Sequence, residues 1–157
     1  MNERLQAELR RAGARFEVIT HPEAYTAQER AAASQVTGRR LAKVVVVRDD
    51  DWFGLAVIPA AASLNLAALQ ALTGRPELKL ATEKEFAPLF PDCELGAMPP
   101  FGHLYGMSAF LDTSLADEPE FVFEGGTHRE EIRMPMGEYL RLEGPAIAAV
   151  AAMTRAA

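Results

Sequence analysis

The chain has 157 residues, 49% hydrophobic and 24% charged, with a net charge of -6. That length suits one domain spanning residues 1–157, because two independent units of half the size would each bury too little apolar surface. The composition excludes a disordered, collagen-like or coiled-coil chain. The acidic balance excludes binding along a nucleic-acid backbone, which needs many cationic contacts, so any nucleic-acid contact is expected to be short and local.

Leu5, Leu9 and Ala12 share one helical face and Gly13 supplies a stop, predicting a helix over residues 3–13. This charged N-terminus does not read as a signal peptide, and no apolar run approaches the roughly 18 residues of a membrane span, so a cytoplasmic location is expected. Phe16 to Thr20 predicts a short strand. Thr26-Ala-Gln-Glu29 has capping-box spacing, predicting a helix to about Ser34, with Gly38 closing the connection. The β-branched run Leu41 to Arg48 and the apolar run Phe53 to Pro59, separated by Asp49-Asp50-Asp51, predict a hairpin in the centre of a sheet.

Leu64 to Leu72 has helical spacing and stops at Gly74; Glu77 to Ala81 predicts a strand, and Thr82 to Glu85 a second capping box, with Pro88 and Pro91 ending that helix. Cys93 to Gly106 is dense in glycine and proline and predicts a shaped loop. Strands are expected at Met107–Asp112, Phe121–Glu124 and Glu131–Met134, and helices at Gly137–Leu142 and Ala146–Met153. The alternation predicts a mixed α/β architecture, a compact mixed central sheet flanked by helices.

One cysteine, Cys93, excludes an internal disulfide or a thiolate-rich zinc site. His21, His103 and His128 lack the paired spacing of a local metal motif, so no metal and no cofactor is expected. Asp92 and Glu94 flank Cys93 and oppose a thiolate, which makes a structural thiol the better reading than a nucleophile. His103 reads as a loop-surface residue, and Asp49–Asp51 as a solvated hairpin tip.

Three features bear on chemistry. Strand alternation puts Lys43 on the face of Leu41, Val45 and Val47; it is either a strand-end lysine reaching water or a cation in a cleft. In Gly96-Ala-Met-Pro-Pro-Phe-Gly102 the glycines allow close backbone approach and the prolines fix an extended chain. This loop is either a rigid surface turn or an oxyanion cradle whose donors would be the N–H groups of Gly96, Ala97, Phe101 and Gly102. Gly125-Gly-Thr-His-Arg129 is either an ordinary hairpin bulge or a pocket loop. Arg39, Arg40, Lys43 and Arg48 cluster in sequence, as a solubilising rim or as local steering for an anionic substrate.

Four segments carry a resemblance: Thr20-His-Pro-Glu-Ala-Tyr-Thr26, Leu41-Ala-Lys43 before an apolar strand, Gly96-x-x-x-Pro100-Phe-Gly102, and Gly125-Gly-Thr-His-Arg-Glu-Glu-Ile-Arg133. In this order and spacing the chain resembles the YbaK/ProX family of aminoacyl-tRNA deacylases, similar to the editing domain of prolyl-tRNA synthetase, over residues 15–143. The resemblance implies a metal-independent hydrolase that removes a small, wrongly attached amino acid from tRNA, alanine on the proline-type tRNA first and cysteine or serine next. It implies a tRNA acceptor end as partner, with an aminoacyl-tRNA synthetase as a further candidate partner. Lys43, Gly96 and Pro100 match the family's functional positions. Gly125 and Gly126 match the segment closing the amino-acid pocket, with Ala97, Phe101, Gly102, Tyr25, Thr26 and His128 as further substrate-binding candidates. Pro99 departs from the Ser or Thr that many members carry there, so that a hydroxyl contact is lost or replaced. The competing reading is a non-catalytic module that keeps the pocket and binds an amino acid, a tRNA end or a synthetase.

Overall fold

The computed structural model describes residues 1–20 and 39–153. The helix predicted from Thr26 to about Ser34, with the candidates Tyr25 and Thr26, lies outside the described residues. Asn2 caps α1 (Glu3–Arg11), its side-chain oxygen accepting from the Leu5 N–H at 2.9 Å, and Leu5 and Leu9 bury the predicted face. β1 (Glu17–Thr20) follows.

β2 (Ala42–Asp49) and β3 (Trp52–Pro59) form the predicted hairpin, paired from Ala42 with Pro59 to Asp49 with Trp52. Asp50 turns the chain in the left-handed region at φ 49°, which aspartate tolerates better than most residues. Asp49 at this tip is not merely solvated: Arg75 donates to it at 3.2 Å while its guanidinium stacks over Trp52.

The hairpin lies at the centre of a five-stranded sheet in the order β5 (Lys79–Leu80), β2, β3, β6 (Ser108–Asp112), β9 (Ala146–Ala148). Pairing is antiparallel from β5 to β3 and parallel from β3 through β6 to β9. Such a mixed sheet is covered on both faces, which explains the unbroken valines of β2. Val46 packs with Leu55, Phe90, Met98 and Met107 on one side, and Val47 with Ile58, Leu69, Leu78 and Val150 on the other. Helix α2 (Leu66–Thr73) supplies Leu69 and ends at Gly74.

A second sheet, β1, β8 (Glu130–Pro135), β7 (Glu120–Glu124), is antiparallel throughout. Phe121, Phe123, Ile132 and Met134 form its inner face, packed against Leu5 and Leu9 of α1, Phe101, and Tyr139 of α5 (Met136–Glu143). An isolated parallel bridge between Leu41 and Val122 joins the two sheets at the start of β2. The capping box at Thr82 forms as predicted on α3 (Glu83–Phe86), which runs into a 3-10 turn over Ala87–Leu89 that accommodates Pro88.

The C-terminus corrects the sequence reading. The alanine-rich stretch Ala146–Met153, expected to be helical, forms two short strands, β9 and β10 (Ala151–Met153). Three tertiary partners outcompete intrinsic helix propensity there. β9 extends the main sheet beside β6, and β10 pairs antiparallel with β4 (Ala62–Leu64), itself a strand the sequence did not reveal. Asp112 then fixes the bend between them: its Oδ1 accepts from the N–H groups of Val150 and Ala151, each at 2.9 Å, while its Oδ2 caps the unpredicted short helix α4 (Thr113–Ala116).

Candidate active site

The junction between the two sheets leaves a cavity of about 270 Å³. Ala42, Lys43 and Val44 at the start of β2, Ala60 just past β3, Gly96 and Met98 of the shaped loop, and Phe123 and Glu124 at the end of β7 line it. The position of Lys43 follows from the topology. β2 is buried at Val46 and Val47 in its middle, so an ammonium is tolerated towards the end of the strand, where Lys43 is exposed beside the cavity.

The two glycine loops, whose first glycines Gly96 and Gly125 are 29 residues apart, meet at this cavity. The N–H of Glu94 donates to Gly126 O at 2.8 Å, and the N–H of Gly126 donates back to Ala97 O at 2.9 Å. The Glu94 side chain accepts from the His128 N–H at 2.9 Å. The imidazole of His128 lies beneath Gly96: Nε2 meets Leu95 O at 2.6 Å and Nδ1 stands 2.9 Å from Glu124 Oε2. Gly96 has φ 82°, a conformation few other residues adopt, and an added Cβ would stand 3.5 Å from His128 Cε1. The second loop is braced from outside by α1, since the Asn2 N–H donates to Gly125 O at 2.8 Å and the Asn2 side chain packs on Gly126.

The far end of the same loop turns inward. Phe101 is fully buried, edge-on to Phe123 and Tyr139. Pro100 O accepts from the Tyr139 hydroxyl at 2.7 Å. Gly102 is pressed against the Met107 carbonyl, which an added Cβ would approach to 2.5 Å.

These contacts revise the set of expected oxyanion donors. The Ala97 N–H donates to Glu94 O at 3.0 Å, Gly102 is buried against the Met107 carbonyl, and Phe101 belongs to the core. Of the four candidates only Gly96 lines the cavity, and its N–H has no hydrogen-bond partner among the described residues.

The expected basic cluster disperses. Arg48 stands five residues along β2 from Lys43, about 16 Å at the rise of a strand, where it pairs with Glu85 and covers Phe53. Arg40 pairs with Glu118 at 3.1 Å and Glu120 at 3.7 Å. Cys93 lies behind the loop with its sulfur 3.3 Å from the Tyr105 hydroxyl; burial first, then the Asp92 charge, push its thiol up to about 11, so it is a thiol at neutral pH. His103 sits with Glu143, and its Nε2 is 3.5 Å from Glu8, outside the cavity lining.

Glu124 is the residue that sequence reading missed, along with the apolar lining of Ala42, Val44, Ala60, Met98 and Phe123. It stands directly before Gly125-Gly126 and four residues before His128, a spacing that puts carboxylate and imidazole together across a tight hairpin end. The pairing of His103 with Glu143 spans 40 residues and leaves no local signal. Among the described residues no group of three His, Cys, Asp or Glu side chains is arranged to hold a metal, and no helix is long and apolar enough to cross a membrane.

Comparison with solved structures finds the same fold in several chains. A hypothetical protein, APE2540, superposes with a TM-score of 0.86 at 22% identity, covering 96% of this chain and 100% of its own. A scaffold protein used for epitope backbone grafting superposes at 0.84 with 28% identity, covering 96% of each chain. A proposed trans-editing enzyme for prolyl tRNA synthetase superposes at 0.83 with 30% identity, covering 94% of each chain. No curated protein matches the chain in sequence. The family described as the aminoacyl-tRNA editing domain matches residues 21–142, which takes in Lys43 and both glycine loops. The chain therefore belongs to the aminoacyl-tRNA editing domain family, the YbaK-like group that its four motifs resemble.

Proposed function

We propose that this chain is a trans-editing deacylase that hydrolyses the ester of a mischarged tRNA carrying a small amino acid, alanine on the proline-type tRNA first, then cysteine or serine. Deacylation in the broad sense goes with the family; the substrate and the residue roles are the proposal. The observation that carries it is the convergence of Lys43 and Gly96 on one cavity of about 270 Å³, room for a small aminoacyl group with part of its ribose. Residues 1–157 act in this reading as a single editing domain.

An aminoacyl ester is activated relative to an amide, so a positioned water and a stabilised oxyanion suffice without a covalent enzyme intermediate. Water adds to the ester carbonyl, the bond to the ribose oxygen breaks, and the proton lost by the water ends on that oxygen, releasing amino acid and tRNA. Lys43 supplies its ammonium to the terminal phosphate or the developing oxyanion. The Gly96 N–H supplies a backbone donor, and Pro100, locked by Tyr139, holds the loop in place with Ala97, Phe101 and Gly102. Gly125, Gly126 and His128 hold the Gly96 loop in place, and the resemblance offers Tyr25 and Thr26, which lie outside the described residues, as further substrate contacts. The tRNA contact is confined to the acceptor end, since Arg40 and Arg48 are engaged elsewhere.

The test is incubation of the purified protein with separately charged Ala-, Cys-, Ser-, Thr- and Pro-tRNA, following loss of the ester. Faster loss than in buffer is expected for at least one small mischarged amino acid. Binding without turnover across the panel would replace the enzyme by a binding module.

A further inference from the structure

Among the described residues lining the cavity, Glu124 is the one acidic side chain and Lys43 the one basic side chain. An isolated parallel bridge joins Leu41 and Val122, and Lys43 and Glu124, each two residues further on, both line the cavity. The Glu124 side chain is 11% exposed and stands 2.9 Å from His128 Nδ1, and His128 is itself held at Leu95 O. The carboxylate is thus fixed in a largely dry wall. A carboxylate has about four acceptor sites and so can receive a further donor beside the contacts it already makes.

The aminoacyl end of tRNA has the matching polarity. Its α-carbon carries an ammonium directly beside the ester carbonyl, and its negative charge lies on the ribose-phosphate side and on the developing oxyanion. Building on the deacylase reading, we propose that Glu124 receives the α-ammonium of the aminoacyl group, so that a free amine is a specificity requirement and N-acylated ends are rejected. The pocket would then separate aminoacyl-tRNA from N-blocked or peptidyl-tRNA, which share the ester but lack the charge.

The experiment compares alanyl-tRNA with N-acetylalanyl-tRNA in single-turnover deacylation by wild type and Glu124→Gln. In parallel, calorimetry compares the stable amide analogues 3′-alanylamino-3′-deoxyadenosine and its N-acetyl form. A charge-assisted hydrogen bond predicts a preference for the free amine of about 10- to 100-fold in wild type, collapsing towards unity in Glu124→Gln. A purely structural role for Glu124 would lower both substrates together and leave the ratio unmoved, which overturns the proposal. Equal handling of both forms by wild type, or no binding of either analogue at millimolar concentration, overturns it as well. Failure of the deacylase reading is seen separately: the ester survives while the amide analogues still report the amine preference.

Discussion

The two ends of the loop from Gly96 to Gly102 have opposite surroundings. Gly96 is exposed, borders the cavity and keeps its N–H without a partner among the described residues. Phe101 and Gly102 are buried and help close the core, Phe101 against Tyr139 and Phe123 and Gly102 against the Met107 carbonyl. A motif that looks uniform in sequence is therefore a functional edge anchored by a folding edge. The prolines between them transmit position, since Pro100 is tied through its carbonyl to the buried Tyr139 hydroxyl. Backbone donors hold an oxyanion only if they are immobile at the moment of reaction, and the inward half of the loop supplies that rigidity.

The largest effect is expected on the cavity side. Lys43→Ala should fold, because it removes an exposed side chain and leaves the valine strand intact, yet lower single-turnover deacylation on the order of 1000-fold. Lys43→Arg sharpens the result: a fitted ammonium site rejects the planar guanidinium and stays slow. Long-range attraction would instead let Arg recover most of the rate, with a steep loss at high salt. Wild-type rates from folded Lys43→Ala would remove the lysine from the site.

The second prediction tests the two loop ends against each other. Gly96→Ala puts a side chain at φ 82° with an ordinary contact to His128, so it should cost about 1–2 kcal/mol of stability while shifting the donor enough to lower turnover about 100-fold. Gly102→Ala forces Cβ towards a backbone oxygen at 2.5 Å and should cost about 2–3 kcal/mol, with the remaining folded protein closer to wild-type turnover. Urea denaturation with kcat measured on the same samples checks both. If Gly102→Ala lowers turnover per folded molecule as much as Gly96→Ala does, the division of the loop into two roles is wrong.

Asp112 is the scaffold-side control, a buried carboxylate that is not part of the cavity lining. Burial alone would raise its pKa, but hydrogen bonds from Ser114, Val150 and Ala151 outweigh burial and leave it below the usual carboxylate value. Because the folded value is the lower one, its stabilisation is present above the unfolded value near 4 and is lost as pH falls through the folded value. Asp112→Asn should cost about 1–2 kcal/mol at neutral pH and leave turnover near wild type. The stability gap between variant and wild type should close in acid. A gap that is independent of pH would refute the assignment.

The central hairpin, the helix capped at Thr82 and the two glycine loops were legible because each rests on local physics: β-branched runs, cap spacing and glycine punctuation. The stretch Ala146–Met153 was not, since its strands depend on Asp112, β6 and β4, all distant in sequence. The expected arginine cluster failed for a related reason. Neighbours in sequence along a strand separate by about 3.3 Å per residue, so Arg48 and Lys43 end at opposite ends of β2.

By itself the sequence determined that Lys43 begins a buried strand, that residues 96–102 form a shaped loop rather than a helix, and that four motifs stand in the order of one family. The tertiary structure alone decided that the Gly96 and Gly125 loops are hydrogen-bonded to each other, that Gly96 rather than Ala97, Phe101 or Gly102 borders the cavity, and that Glu124 lines the same cavity as Lys43. The reason lies in what each level encodes. Spacing along a chain fixes turns and faces, whereas which faces meet is fixed by burying Phe101, Phe121, Phe123 and Tyr139 in one core, a choice made by residues far apart in the sequence.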